Sequence, residues 1–177
     1  MLTTLGAVAA LAVAGLLVYA ATRPDTFRVS RATVIAAPAE AIFPLINDFR
    51  GWASWSPWET KDPAMKKSLS GAERGPGAAY AWEGNNDVGS GRMEITESTP
   101  QRRVVIDLSF TRPMKARNTV ELALEPEAGG TRVDWVMHGP SPFMSKLFGI
   151  FVNIDRMVGK DFEAGLAKLK ALAEAGR

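Results

Sequence analysis

The second half of the chain alternates. Val104, Ile106, Leu108 and Phe110 alternate with Arg103, Val105, Asp107 and Ser109. Val120, Leu122 and Leu124 alternate with Thr119, Glu121 and Ala123, and Asn118 falls on the apolar side. Val133, Trp135 and Met137 oppose Arg132, Asp134 and His138, and Met93 and Ile95 oppose Arg92 and Glu94. A period of two marks strands with one apolar and one wet face. The pattern predicts strands over Met65–Ser70, Ala78–Glu83, Val88–Ser98, Arg102–Phe110, Met114–Pro126 and Thr131–His138. Most are separated by turn formers, among them Gly71, Gly84-Asn85-Asn86-Asp87, Pro100-Gln101 and Gly129-Gly130. Connections this short make neighbours antiparallel.

The pattern then changes period. Leu147, Phe151, Ile154, Val158, Phe162, Leu166, Leu169 and Ala173 recur in steps of three and four. They predict one long amphipathic helix over roughly Pro142 to Glu174, with Lys146, Arg156, Lys160, Glu163, Lys168 and Lys170 on its polar side. Such a helix needs an apolar surface, and the sheet offers one.

Upstream, Phe27 to Ile35 reads as a strand of imperfect alternation, since Arg31 and Thr33 share a side with Phe27, Val29 and Ile35. Pro38-Ala39-Glu40-Ala41 opens a short helix that buries Ile42, Phe43, Leu45 and Ile46. Asn47-Asp48 can cap a second one over Phe49 to Trp55. Trp52, Trp55 and Trp58 follow at a spacing of three. Large indoles are costly to expose, which makes this run a core plug, with Trp58, beyond Pro57, at a cavity mouth.

Leu2 to Ala21 carries no charge. About 20 helical residues span about 30 Å, the thickness of a bilayer's hydrocarbon core. Tyr19 sits where an interfacial aromatic belongs, and Arg23-Pro24 ends the run. The chain therefore divides into an N-terminal transmembrane anchor (1–22), a linker (23–26) and a globular domain (27–177). A cleaved signal peptide is the competing reading, although the segment lacks a basic start. Arg23, Arg28 and Arg31 follow the segment and no Lys or Arg precedes it, so the positive-inside rule points to a single-pass protein with a cytoplasmic domain.

Composition narrows the chemistry. A net charge of +2, without a basic run interleaved with aromatics, argues against nucleic-acid binding. The chain has no cysteine and one histidine, His138, which removes thiolate and multi-histidine metal sites. Gly71-x-x-x-Gly75-Pro76-Gly77 precedes a strand and not a helix, so it is a turn and not a nucleotide fingerprint. No cofactor is expected.

The order of elements resembles the START-like, or SRPBCC, helix-grip superfamily. Ala37-Pro38-Ala39-Glu40-Ala41-Ile42-Phe43-Pro44-Leu45-Ile46-Asn47-Asp48, the run Phe49 to Trp58, Tyr80-Ala81-Trp82-Glu83-Gly84-Asn85 and Gly139-Pro140-Ser141-Pro142-Phe143-Met144 look like its polyketide cyclase/dehydrase and lipid transport branch. The resemblance covers roughly residues 27–175. It implies an α+β helix-grip fold: a curved antiparallel sheet of about seven strands, in the order β-α-α-β6-α, around a long C-terminal helix. It also implies a hydrophobic small molecule or lipid held between sheet and helix.

For that cavity the sequence offers Trp82, Met93, Phe110, Trp135 and Met137 from the sheet, and Trp58 at the mouth. Phe143, Met144, Phe151 and Met157 would face them from the loop and helix. Methionine adapts to irregular ligands, and Asn118 is the best polar anchor. The reading is a membrane-anchored binding or carrier protein. Two alternatives stay open: a cyclase/dehydrase-like enzyme, for which His138 is the one ready general base, and a non-catalytic membrane-tethered adaptor whose protein partner the sequence does not name.

Overall fold

The computed structural model describes residues 2–176; Met1 and Arg177, the outer ends of the anchor and domain assigned from sequence, lie outside the described residues. The alternating segments become seven strands: β1 (Thr26–Ile35), β2 (Lys66–Gly71), β3 (Ala78–Glu83), β4 (Ser90–Thr99), β5 (Arg103–Arg112), β6 (Ala116–Glu127) and β7 (Gly130–Pro140). They form one sheet in the order β1-β7-β6-β5-β4-β3-β2, and every neighbouring pair is antiparallel. β2 to β7 are the expected meander, and β1 returns to pair with β7.

Register carries the apolar alternation across the sheet. Ile95 faces Ile106, Ile106 faces Val120, Val120 faces Met137, and Met137 faces Val29. All five are buried. β4 breaks register at Ser90/Gly91 and at Ile95/Glu97. Irregularities of this kind bend a strand and increase its twist, which curves the sheet toward its inner face.

The helices are α1 (Leu2–Thr22), α2 (Ala39–Ile46), α3 (Phe143–Phe151) and α4 (Ile154–Ala175), with 3-10 turns at Phe49–Ser54 and Pro57–Thr60. Two expectations need correction. The segment after Asp48 is a 3-10 turn, capped by the Asp48 carboxylate, which accepts from the Arg50 N–H at 2.9 Å. The single C-terminal helix is two helices. Val152 and Asn153 are extended, and the Asn153 side chain caps α4 by accepting from the Arg156 N–H at 2.9 Å. Steps of three and four run on through this break, so spacing alone does not reveal it.

α4 lies along β1. Arg31 donates to Glu163 at 2.7 Å and to Asp155 at 3.1 Å. Lys170 donates to the Val34 carbonyl at 2.8 Å, and Glu174 accepts from the Ala36 N–H at 2.8 Å. Phe162 stacks on Trp135 with ring centroids 4.3 Å apart. The tryptophan run fills the space beside this stack. Trp52 and Trp55 are buried, and their indole N–H groups donate to the carbonyls of Ile46 (3.3 Å) and Leu45 (2.9 Å). Those carbonyls close α2, where a helix leaves acceptors without internal partners.

Candidate functional site

The inner face of the sheet changes character along its length. At one end α4 covers it, and Trp52, Trp55, Trp135 and Phe162 form a closed aromatic block. Ile95 and Ile106 beside the block are fully buried. One row further along, Tyr80 faces Met93, Met93 faces Leu108, and Leu108 faces Asn118. Leu108 and Asn118 each retain 8% of their surface and Met93 retains more. In the next row Trp82 faces Gly91 and Gly91 faces Phe110, and Trp82 and Phe110 are only half-buried. Exposure therefore rises from the block toward the β3–β5 end. α4 packs mainly on β1, α2 and the second 3-10 turn, and at this end, the trough, Trp82, Met93 and Phe110 stay partly exposed while Leu108 and Asn118 are nearly closed off.

Local sequence sets the trough's shape. Gly91 lets the Trp82 ring lie across β4, since a Cβ there would approach the ring to 2.6 Å. The Trp82 ring meets Phe110 edge to face at 5.5 Å, and its indole N–H is held by the Val88 carbonyl at 3.0 Å. An open cavity of about 410 Å³ continues from this point, lined by Trp82, Glu83, Ser90, Gly91, Thr111 and Arg112. Arg112 donates to the Gly84 carbonyl at 2.7 Å and to the Ser90 hydroxyl at 2.9 Å, and has no carboxylate partner among the described residues.

Of the residues selected from sequence, the structure gathers Trp82, Met93, Phe110, Asn118 and Met137 on this face. Asn118 lies across from Gly139, where a Cβ would collide with the Asn118 Oδ1. Its amide has no side-chain hydrogen bond among the described residues. Trp58, half-buried, packs against Trp135 (5.8 Å) and Phe162 (6.3 Å) and so adds to the block. Trp135 belongs to the block, and its indole nitrogen is buried without a partner. Phe143, Met144, Phe151 and Met157 are not brought against the sheet. All four are exposed: the break at Val152–Asn153 turns α3, with Phe143, Met144 and Phe151, away toward α1, and Met157 lies on the outward side of the first turn of α4.

His138 stands in register with Arg28 and Thr119. By alternation that is the opposite face from Met137 and the trough. A different polar cluster flanks the inner face. Tyr80 donates to Glu59 at 3.0 Å, and Lys67 reaches the other Glu59 oxygen at 2.5 Å. Burial, reinforced by the Glu59 charge and hydrogen bond, pushes the Tyr80 phenol above its ordinary value of 10.0. Tyr80 is therefore a fixed donor at neutral pH. Sequence reasoning did not select Glu59 or Lys67, which meet only because β2 folds beside the second 3-10 turn.

A second open groove, about 490 Å³, runs between the end of α1, the free edge of β1 and the α3–α4 junction. Phe27, Ile150, Phe151 and Ile154 supply its apolar part, and Arg23, Lys146, Ser145 and Asn153 its polar part. Lys146 pairs with Asp25 at 2.5 Å, and that hydrogen bond holds the Asp25 carboxyl below its ordinary 3.8.

This fold and face define a helix-grip protein, and residues 26–174 match the polyketide cyclase / dehydrase and lipid transport family. The chain belongs to that family. Solved structures agree on the fold. Protein CV1439 from Chromobacterium violaceum is 18% identical with a TM-score of 0.59, over 86% of this chain and 99% of that one. DynU16, a protein in the dynemicin biosynthetic locus, is 17% identical with a TM-score of 0.59, over 88% of this chain and 49% of that one. The Aha1 dimer from Colwellia psychrerythraea is 18% identical with a TM-score of 0.57, over 85% and 98%. No curated protein matches the sequence. Among the described residues one helix, Thr4–Thr22, is long and apolar enough to cross a membrane, with a mean hydropathy of 2.1.

Proposed function

We propose that the protein is a membrane-tethered binding or carrier protein whose cargo is a hydrophobic small molecule or lipid seated in the trough of Trp82, Met93, Leu108, Phe110 and Asn118. The observation that carries this reading is the gradient on the inner face. The same sheet surface that is sealed by aromatics under α4 is only partly covered at its β3–β5 end, where Trp82, Met93 and Phe110 are half-buried. An uncovered apolar face costs roughly 25 cal/mol for each Å² left in water, and a ligand removes that cost. Pockets for such ligands are mostly apolar with a few placed polar groups; Asn118 and Arg112 fill that role here. The family description includes lipid transport, which supports the same cargo class.

α1 serves as the tether, with residues 1–22 as anchor, 23–26 as linker and 27–177 as the cargo domain. The arginines that follow the span favour the cytoplasmic side for that domain under the positive-inside rule. The linker is too short to let the domain leave the bilayer surface, so loading and delivery occur there.

The test is binding of a fluorescent fatty acid to full-length protein in detergent, together with mass spectrometry of its lipid extract. The reading expects saturable binding that Phe110→Asp abolishes. Absence of both a co-purifying apolar compound and saturable binding would overturn it.

A further inference from the structure

Helix α3 has its polarity reversed for a helix facing water. Phe143, Met144, Phe148 and Phe151 are 43, 65, 49 and 72% exposed, and no residue of α3 is fully buried. Met144, Phe148 and Phe151 are spaced i, i+4, i+7 and form one outward stripe. Lys146, two residues from Met144 and so about 200° around the helix, points inward, with only 8% of its side chain exposed against Asp25. Helices on soluble proteins turn the apolar stripe in and the lysine out.

The neighbour of α3 explains the reversal. α3 packs on α1. Among the described side chains of α1, only Leu16 and Ala20 are withdrawn from solvent, one helical turn apart on one face. Leu16 lies six residues inside Thr22, about 9 Å along the axis. Helices lying in a bilayer interface bury their apolar face about 5–10 Å deep. Just beyond the span, Arg23 donates to the Tyr19 hydroxyl at 3.4 Å and sits 5.8 Å from its ring centroid, an aromatic–cation pair of the kind found at the headgroup level.

We propose that α3 is a second membrane-contacting element: a monotopic helix whose Met144–Phe148–Phe151 stripe lies among the acyl chains of the leaflet through which α1 exits. Its Lys146 side faces the groove beside the free edge of β1, which then opens at the headgroup level of the same leaflet. The inference rests on α1 being an anchor and is independent of what the trough carries.

The absence of cysteine in the sequence makes single-cysteine probes clean. Met144→Cys, Phe148→Cys and Phe151→Cys, with Leu11→Cys in α1 and Ala171→Cys on α4 as references, are labelled with a nitroxide. Each full-length variant is reconstituted into phosphatidylcholine–phosphatidylglycerol vesicles. Collision with oxygen relative to a water-soluble nickel chelate reads depth. The three α3 positions should fall between Leu11→Cys, near the bilayer centre, and Ala171→Cys, and clearly exceed the latter. Aqueous values at the α3 positions beside a bilayer value at Leu11→Cys would overturn the inference and leave the anchor intact. Spin–spin coupling at Phe148→Cys without an oxygen excess would also overturn it, since a second copy would then cover the stripe. Aqueous values at Leu11→Cys would overturn the anchor and the inference together. None of these readouts depends on cargo.

Discussion

The Arg31 guanidinium occupies the volume that a Cβ on Gly159 would fill. From that position it donates to both Asp155 and Glu163, tying the first turns of α4 to β1. Those hydrogen bonds hold the Asp155 carboxyl below, and the guanidinium above, its ordinary value. The glycine thus belongs to the clamp although it has no side chain to join those hydrogen bonds.

Gly159→Ala therefore sets two effects against each other. Alanine favours a helix interior by about 1 kcal/mol. Overpacking a fitted site costs about 1–3 kcal/mol. The overlap wins, and urea unfolding should show a net loss. In an Arg31→Ala background the collision is absent, and the same substitution should stabilise. Stabilisation in both backgrounds would show that Arg31 does not lie against this glycine.

Gly165 makes the equivalent contact with the aromatic block, where a Cβ would come within 2.7 Å of the Trp135 ring and 3.0 Å of Pro57. A stacked indole yields less than a flexible arginine. Gly165→Ala should cost at least as much as Gly159→Ala, about 2–3 kcal/mol, with a loss of near-ultraviolet circular dichroism from the disturbed Trp135–Phe162 stack.

Trp55 and Trp135 are both fully buried, yet only the Trp55 indole N–H has an acceptor. Changing either to Phe removes ring volume. Trp55→Phe also strands the Leu45 carbonyl at the end of α2, whereas Trp135→Phe removes a donor that has no partner among the described residues. Trp55→Phe should be the more destabilising by about 1 kcal/mol in parallel denaturant melts.

Acid should unfold the domain partly through Asp48 and Asp155. The Arg50 side-chain hydrogen bond holds Asp48 below its ordinary 3.8, and the Arg31 hydrogen bond does the same for Asp155. A carboxylate depressed in the folded state binds fewer protons there than in the unfolded chain. Its contribution is complete above the ordinary value and is lost as pH falls through that value toward the folded one. Stability should decline from about pH 5 downward, and Asp48→Asn should flatten that decline. An unchanged slope would mean that the capping pair is not formed in solution.

Much of the fold could be read from the chain because strand alternation is a local signal. Val104, Ile106, Leu122, Leu124, Val133 and Trp135 are buried as their spacing requires. The break before α4 was harder, since helical spacing records which side a residue faces and not whether the axis bends. Asn153 was the available sign, as a capping residue in the middle of the stripe. That break moves Phe143, Met144 and Phe151 off the sheet. Arg31 was visible only as a flaw in the β1 alternation. Its role needed α4, more than a hundred residues away in the chain, with a glycine placed to receive it. The face that Met93, Phe110 and Asn118 occupy was legible because each sits on an alternating strand. The uncovered end was not, because it depends on where α4 stops covering.

The most direct test of the trough is photocrosslinking. Full-length protein in nanodiscs is illuminated with a diazirine-bearing fatty acid, and the labelled peptides are mapped by mass spectrometry. The account predicts adducts concentrated at Trp82, Met93, Phe110 and neighbouring residues of β3 to β5, suppressed by unlabelled fatty acid and lost in Phe110→Asp. Adducts confined to α1 and α3, with β3 to β5 unlabelled and no competition, would contradict it.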